Sequence, residues 1–193
     1  MTTEAQYKQG LSAEVLASYP RSVELIYEFW IPRSYERADL AVVGTMMMGF
    51  EIKSSRDSLK RLPRQISAYS RIFDHCHAVL APRHVQAALE MLPPWWGVQV
   101  ADDDMRFRSL RKPELNAGVD PETLVRLLWR NEAYAALCDL GHRPDPGAGR
   151  FHMWELLVSV LDLEHLKRVV RDSLLRRDPS KARMPSRRFD FTE

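Results

Sequence analysis

Asp39, Glu51 and Lys53 are the residue types that metal-assisted hydrolysis of a phosphodiester requires. Two carboxylates can hold a divalent cation, and an ammonium beside them can orient a water or steady a negative charge. All three lie in the stretch from Arg37 to Ser54, RADLAVVGTMMMGFEIKS. Residues 38–43 and 49–53 are short, mostly apolar and separated by Gly44 and Thr45, which predicts a β-hairpin. Alternate strand residues share a face, so Glu51 and Lys53 share one and Asp39, Ala41 and Val43 share one. Leu40, Val42, Phe50 and Ile52 form the opposite, core-facing surface. Setting Asp39 opposite Glu51 puts Ala41 opposite Gly49 and Val43 opposite Met47. That register needs an odd-length loop such as Gly44-Thr45-Met46, and a slip of one residue turns Asp39 to the wrong face. The same alternation also fits the solvated side of an ordinary amphipathic hairpin. The strongly apolar flanks count against that, because they set the charges in a largely buried layer.

A second constellation follows at once in Ser54 to Asp74, SSRDSLKRLPRQISAYSRIFD. Leu59, Leu62, Ile66, Tyr69 and Phe73 recur at helical spacing, and Asp57, Arg61, Gln65 and Tyr69 step by four along a neighbouring stripe. Pro63 places the start of the regular helix near itself, after a shorter turn at 57–62. Gln65 can hold an attacking water or a phosphate oxygen. Arg61 can meet a phosphate or, more plainly, pair with Asp57; Tyr69 can equally be core.

A carboxylate strand, a Glu-x-Lys strand and a helix bearing Gln65-Ile-Ser-Ala-Tyr69 together resemble the PD-(D/E)XK nuclease superfamily, with its restriction-endonuclease-like fold. The Gln-x-x-x-Tyr element resembles the helix motif of its exonuclease branch. The fuller string is similar to a family of small bacterial and phage proteins in that superfamily, as are Pro94-Trp-Trp-Gly97 and Leu127-Leu-Trp-Arg-Asn-Glu132. The resemblance spans about residues 22 to 165 and is specific over 37–74. It implies an α/β fold with an αβββαβ core, a mixed sheet and a C-terminal helical extension. It implies hydrolysis of DNA with Mg²⁺ or Mn²⁺. Asp39 and Glu51 would be metal ligands, with the Ile52 carbonyl as a further oxygen. Lys53 would position the water or stabilise the transition state, and Gln65 and Tyr69 would support the site. A further acid on a preceding element would be Glu28, with Glu24 and Glu14 as competitors. Arg37, Lys60, Arg61 and Arg64 are the candidates for contact with DNA. Ala38 stands where the name-giving pattern has proline, a change that removes no ligand. A catalytically inactive module that binds nucleic acid or protein, and a ribonuclease, are the alternatives. A homodimer would suit double-strand cleavage.

The remaining chain must position these groups. Its 193 residues can bury one substantial core. The expected division is a nuclease-like core over 1–104 and a helical extension with a basic tail over 105–193. Net charge is only +2, so blanket basicity does not mark a nucleic-acid binder. Between Lys167 and Arg188, however, nine basic residues face two acids, Asp172 and Asp178. That stretch fits either a phosphate grip or a solvated helix with a frayed tail. A helix is expected over 3–17, a strand (with helix as the alternative) at 23–31, a strand at 75–80, a helix at 82–92 and a last strand at 98–100. Residues 105–118 read as irregular, 120–140 as one helix, and 151–177 as one long or two shorter helices. Asp102 to Asp104 reads as a solvated turn, and Trp95 and Trp96 as core plugs. His75, His77 and His84 lack zinc-ligand spacing. Cys76 and Cys138 form no metal motif, which fits a reducing cytoplasm. The first ten residues lack a signal-peptide core, and no apolar run is long enough to span a bilayer.

Overall fold

The computed structural model describes residues 4–18, 23–102 and 104–177. Helix α1 (Glu4–Ser18) leads into three antiparallel strands, β1 (Glu24–Trp30), β2 (Arg37–Val43) and β3 (Met47–Lys53). A 3₁₀ turn at Leu59–Arg61 and helix α2 (Leu62–Tyr69) then cross to β4 (His75–Leu80), which lies parallel to β3. A 3₁₀ turn at Pro82–His84 and α3 (Val85–Met91) precede β5 (Gly97–Ala101), parallel to β4. The sheet is mixed, and its strands lie side by side in chain order.

It ends on a sixth strand, β6 (Phe107–Arg111), antiparallel to β5. This corrects the irregular reading of 105–118, and the sheet runs on past residue 104. Then follow α4 (Pro121–Leu124), a 3₁₀ turn at Val125–Leu127, α5 (Arg130–Asp139), α6 (Arg150–Val160) and α7 (Leu163–Arg176). The single helix expected over 120–140 is therefore broken. Trp129 N–H donates to the Glu132 carboxylate at 2.7 Å and starts a new helix there.

Both faces of the sheet are covered. Tyr7, Leu11 and Val15 of α1 pack on Leu40, Val42, Phe50 and Ile52. Ala41, Val43, Met47, Ala78 and Leu80 face Leu62, Tyr69, Ile72 and Phe73, together with Leu124, Leu137, Leu157 and Val170 of the C-terminal helices. The surface carrying Glu51 and Lys53 is thus a second core face, not a solvated one, and every residue of β3 is buried. Gly49 makes this packing possible, because a β-carbon there would overlap the Phe73 ring. Asp74 ties the helical extension to the sheet. Its carboxylate accepts from Met47 N–H at 2.8 Å and lies 3.0 Å from Lys167 Nζ on α7.

Candidate active site

The hairpin register is the one expected: Leu40 faces Phe50, Ala41 faces Gly49 and Val43 faces Met47 across the odd-length loop. Pairing stops at Leu40, and the Asp39 carboxylate continues it by accepting from Ile52 N–H at 2.7 Å. Asp39 therefore caps the end of β3 at the edge where Glu51 and Lys53 emerge. Glu51 is 1% exposed and Lys53 6%. Lys53 Nζ donates to Glu51 Oε1 at 2.6 Å, and Tyr69 Oη donates to Glu51 Oε2 at 2.6 Å. Burial pushes the Glu51 carboxyl above its ordinary range; the Lys53 charge and hydrogen bond, the Tyr69 hydroxyl and the Arg61 charge oppose it. Tyr69 is fully buried. Burial, then the charges of Glu51 and Asp39, raise its hydroxyl well above the usual range.

Pro63 in the first turn of α2 sets the helix that brings Gln65 and Tyr69 over this edge, one turn apart. Gln65 is buried, and its Oε1 has no hydrogen-bond partner. A buried amide oxygen left unpaired costs stability and calls for a reason. Arg61 does not pair with Asp57, which instead accepts from Ser54 N–H and Oγ. Arg61 donates to Glu36 at 3.1 Å, and Arg64 approaches the same carboxylate at 3.6 Å. Burial, the largest single effect, lowers the Arg61 guanidinium, but the bond and charge of Glu36 with the fields of Glu51 and Asp39 together leave it raised overall. Asp39, Glu51, Tyr69 and Arg61 thus act on one another electrostatically.

The other acids differ in how near the site they lie, and Glu28 falls opposite Asp39 in the β1–β2 register. Glu28, the expected further acid, has a positive φ of 51° and ion-pairs with Lys8, which also lies 3.9 Å from Asp39. It is tied to the site through a lysine. Among the described residues, no group of three or more acidic, histidine or cysteine side chains is arranged to hold a metal. Glu24 pairs with Val43 at the far end of β1, and Glu14 meets Gln99 beneath α1. Lys60 and Arg37 are exposed, Arg37 opposite Trp30 at the start of β2.

The basic C-terminal stretch is only partly a surface. Lys167 is buried against Asp74, and Arg177 makes a forked pair with Glu132 while stacking on Trp129. The residues from Asp178 onward lie outside the described ones. Trp96 is buried against Tyr69 as a core plug, while Trp95 is half-buried. Sequence reasoning missed Glu36 and Lys8, because their partners are remote along the chain. It also gave no role to His77, buried and stacked on Phe50 at 4.3 Å.

These features define a three-layer α/β protein with a buried carboxylate–lysine site at the end of its central strands. The chain belongs to the Bacteriophage P4 protein cII family, which it matches over residues 2–188. Protein cII of Enterobacteria phage P4 is 26% identical over 174 residues, covering 89% of this chain and 62% of that protein. The chain therefore spans less than two thirds of that relative's length. Among solved structures it is similar to a protein of unknown function from Silicibacter pomeroyi, at 19% identity and a TM-score of 0.45, covering 77% of this chain and 97% of that one. Among the described residues, no helix is long and apolar enough to cross a membrane.

Proposed function

We propose that this protein is a metal-dependent nuclease that hydrolyses phosphodiester bonds in DNA, with the PD-(D/E)XK arrangement that its motifs resemble. One observation carries the reading: Glu51, Lys53 and Tyr69 form a buried hydrogen-bonded cluster, and the nearby Gln65 amide oxygen is left without a partner. Packing alone does not call for such a group, since apolar residues of similar volume would serve the core as well or better.

The donor set suits the cation. The carboxylates of Asp39 and Glu51, the Ile52 carbonyl and the orphaned Gln65 oxygen are all hard oxygen ligands or acceptors, as Mg²⁺ and Mn²⁺ prefer. Each Glu51 oxygen accepts one hydrogen bond here and keeps further lone-pair capacity. A bound divalent cation supplies Lewis-acid activation of the phosphate and a more acidic water. The chain's own residues do the rest. Tyr69 fixes the orientation of Glu51, Lys53 offers its ammonium to the water or the developing charge, Gln65 accepts a hydrogen bond from that water, and Arg61 meets a neighbouring phosphate oxygen.

The test is cleavage of linear, circular and single-stranded DNA with Mg²⁺ or Mn²⁺, comparing wild type with Asp39→Asn and Lys53→Ala. Metal-dependent cleavage that falls by roughly 100-fold or more in both folded variants supports the reading. A folded wild type that binds Mn²⁺ yet cuts no DNA defeats it. Cleavage of RNA alone would reassign the substrate.

A second reading, a nuclease-like fold that binds nucleic acid or protein without turnover, is favoured by the internal hydrogen bonds of Glu51. Both of its oxygens are already bonded within a site where it is 1% exposed. Tight DNA binding without cleavage, unaffected by Lys53→Ala, would select it.

A further inference from the structure

The loop between β1 and β2 puts an aromatic residue into water. Tyr35 is fully exposed, and Trp30 at the end of β1 is also exposed. The loop is nevertheless well fastened. Ile31 N–H donates to the Glu36 carbonyl at 3.3 Å, Ser34 Oγ donates to the Ile31 carbonyl at 2.9 Å, and Glu36 N–H donates to Ser34 Oγ at 3.2 Å. Glu36 is buried, and its carboxylate holds Arg61 and Arg64. Tyr35 and Arg37 flank it in sequence. Arg61 also feels the charges of Glu51 and Asp39, so this rim lies within electrostatic reach of the carboxylate–lysine cluster. No packing contact accounts for a solvated tyrosine in a fastened loop, next in sequence to the Glu36 that holds the exposed Arg61 and Arg64 and two positions before the exposed Arg37. Aromatic rings that stack on bases, interleaved with cations that meet phosphates, are the means by which proteins hold unpaired strands.

We infer that Tyr35, with Arg37, Arg61 and Arg64, forms a track that binds single-stranded DNA and feeds it to the site. The inference rests on the nuclease reading above and deepens it by naming the substrate. A stacking tyrosine needs a base freed from its helix. The floor of the site also favours one strand over a duplex, because Glu51, Lys53, Gln65 and Tyr69 are all buried, Asp39 is half-buried and the arginines of the rim are exposed.

The test is binding in EDTA, where no metal-dependent cleavage can occur, followed by fluorescence anisotropy of labelled oligothymidylate, the matching duplex and oligouridylate. Oligothymidylate should bind tightest. Its affinity should fall about 5- to 150-fold in Tyr35→Ala and stay near wild type in Tyr35→Phe, which keeps the ring. The salt slope should be about −2, from three phosphate contacts at about −0.7 each. Tyr35 is solvent-exposed, so its variants should melt with wild type, and thermal unfolding checks this. The inference is overturned by duplex binding as tight as single strand, by tighter binding of oligouridylate, by no binding, or by a Tyr35→Ala protein that binds normally. These outcomes are separable from failure of the nuclease reading, which shows as absent cleavage with metal whatever binds in EDTA.

Discussion

Replacing Lys53 with methionine keeps the length of its apolar stem and removes the charge that faces Glu51. The carboxylate then sits 1% exposed with only the Tyr69 hydroxyl as a side-chain donor. Breaking a buried pair from one side typically costs about 3–5 kcal/mol, because a buried charge is left uncompensated. Glu51 has a cheaper course, which is to take up a proton. Its ordinary value is 4.5, so protonating it at pH 7 costs about 3.4 kcal/mol, from a gap of about 2.5 pH units at about 1.36 kcal/mol each. At pH 5 the gap is about 0.5 units and the cost about 0.7 kcal/mol.

The lesser cost caps the loss, and the wild type already carries part of it because its own carboxyl is raised, so the Lys53→Met penalty should grow from below about 0.7 kcal/mol at pH 5 to at most about 3 kcal/mol at pH 7. The sign follows from the direction of the shift. Burial raises the folded carboxyl above its unfolded value, so the folded state keeps a proton that the unfolded state has lost. Stability then falls as pH rises through the interval between the two values. In the wild type Lys53 opposes that rise, and the slope is shallower. Urea denaturation of metal-free protein in EDTA at the two pH values measures both penalties. A double variant, Glu51→Gln with Lys53→Met, should recover most of the loss at pH 7. A Lys53→Met penalty equal at pH 5 and pH 7, or none at pH 7, would show that the two groups do not form a buried pair.

His77 is buried with its Nε2 unpaired, and burial, helped by His75, lowers it from 6.5 to about 4. The unfolded chain therefore binds a proton that the folded one refuses, so about 3 kcal/mol of stability should be lost as pH falls from 6.5 toward 4, and His77→Phe should flatten that acid limb in denaturant titrations. Gly49→Ala pushes a methyl into the Phe73 ring and should cost about 1–3 kcal/mol by thermal or urea unfolding, with Phe73→Leu restoring part of it. Gln65→Leu removes the unpaired amide oxygen, so unfolding should show stability unchanged or raised by up to about 1 kcal/mol, while metal-dependent cleavage drops.

The hairpin was legible because a strict period of two and an odd loop leave one register that keeps both apolar faces intact. Pro63 likewise fixed the start of α2. What stayed hidden depends on contacts remote in the chain. Strand β6 reads FRSLR and is half-solvated, so its weak alternation is hard to tell from a loop. The break before α5 falls in a continuous apolar stripe with no proline or glycine. It is held by Trp129, on which Arg177 stacks from 48 positions further along (177 minus 129). Arg61 took Glu36 rather than the helix-spaced Asp57 because Asp57 was already occupied in capping Ser54. In the same way Lys167 and Arg177, which read as part of a basic surface, are spent on Asp74 and Glu132.

Energetics bears on whether these buried polar groups serve the proposed activity or only packing. Glu51, Lys53, Gln65 and Tyr69 occupy the contact between β3 and α2, where Gly49 and Phe73 interlock and Trp96 backs Tyr69. A core contact so placed is where a sequence gains most from apolar side chains, and each buried polar group there must recover its desolvation through a partner. Three of the four have done so: Lys53 and Tyr69 each spend a donor on Glu51. Gln65 leaves an acceptor unpaired, and leucine at that position would fit the helix without the penalty. An unpaired buried amide one turn before Tyr69 on α2 fits the proposed partner from outside the chain. Gln65→Leu separates the two accounts, because a purely structural glutamine would cost stability when lost and leave cleavage or DNA binding untouched.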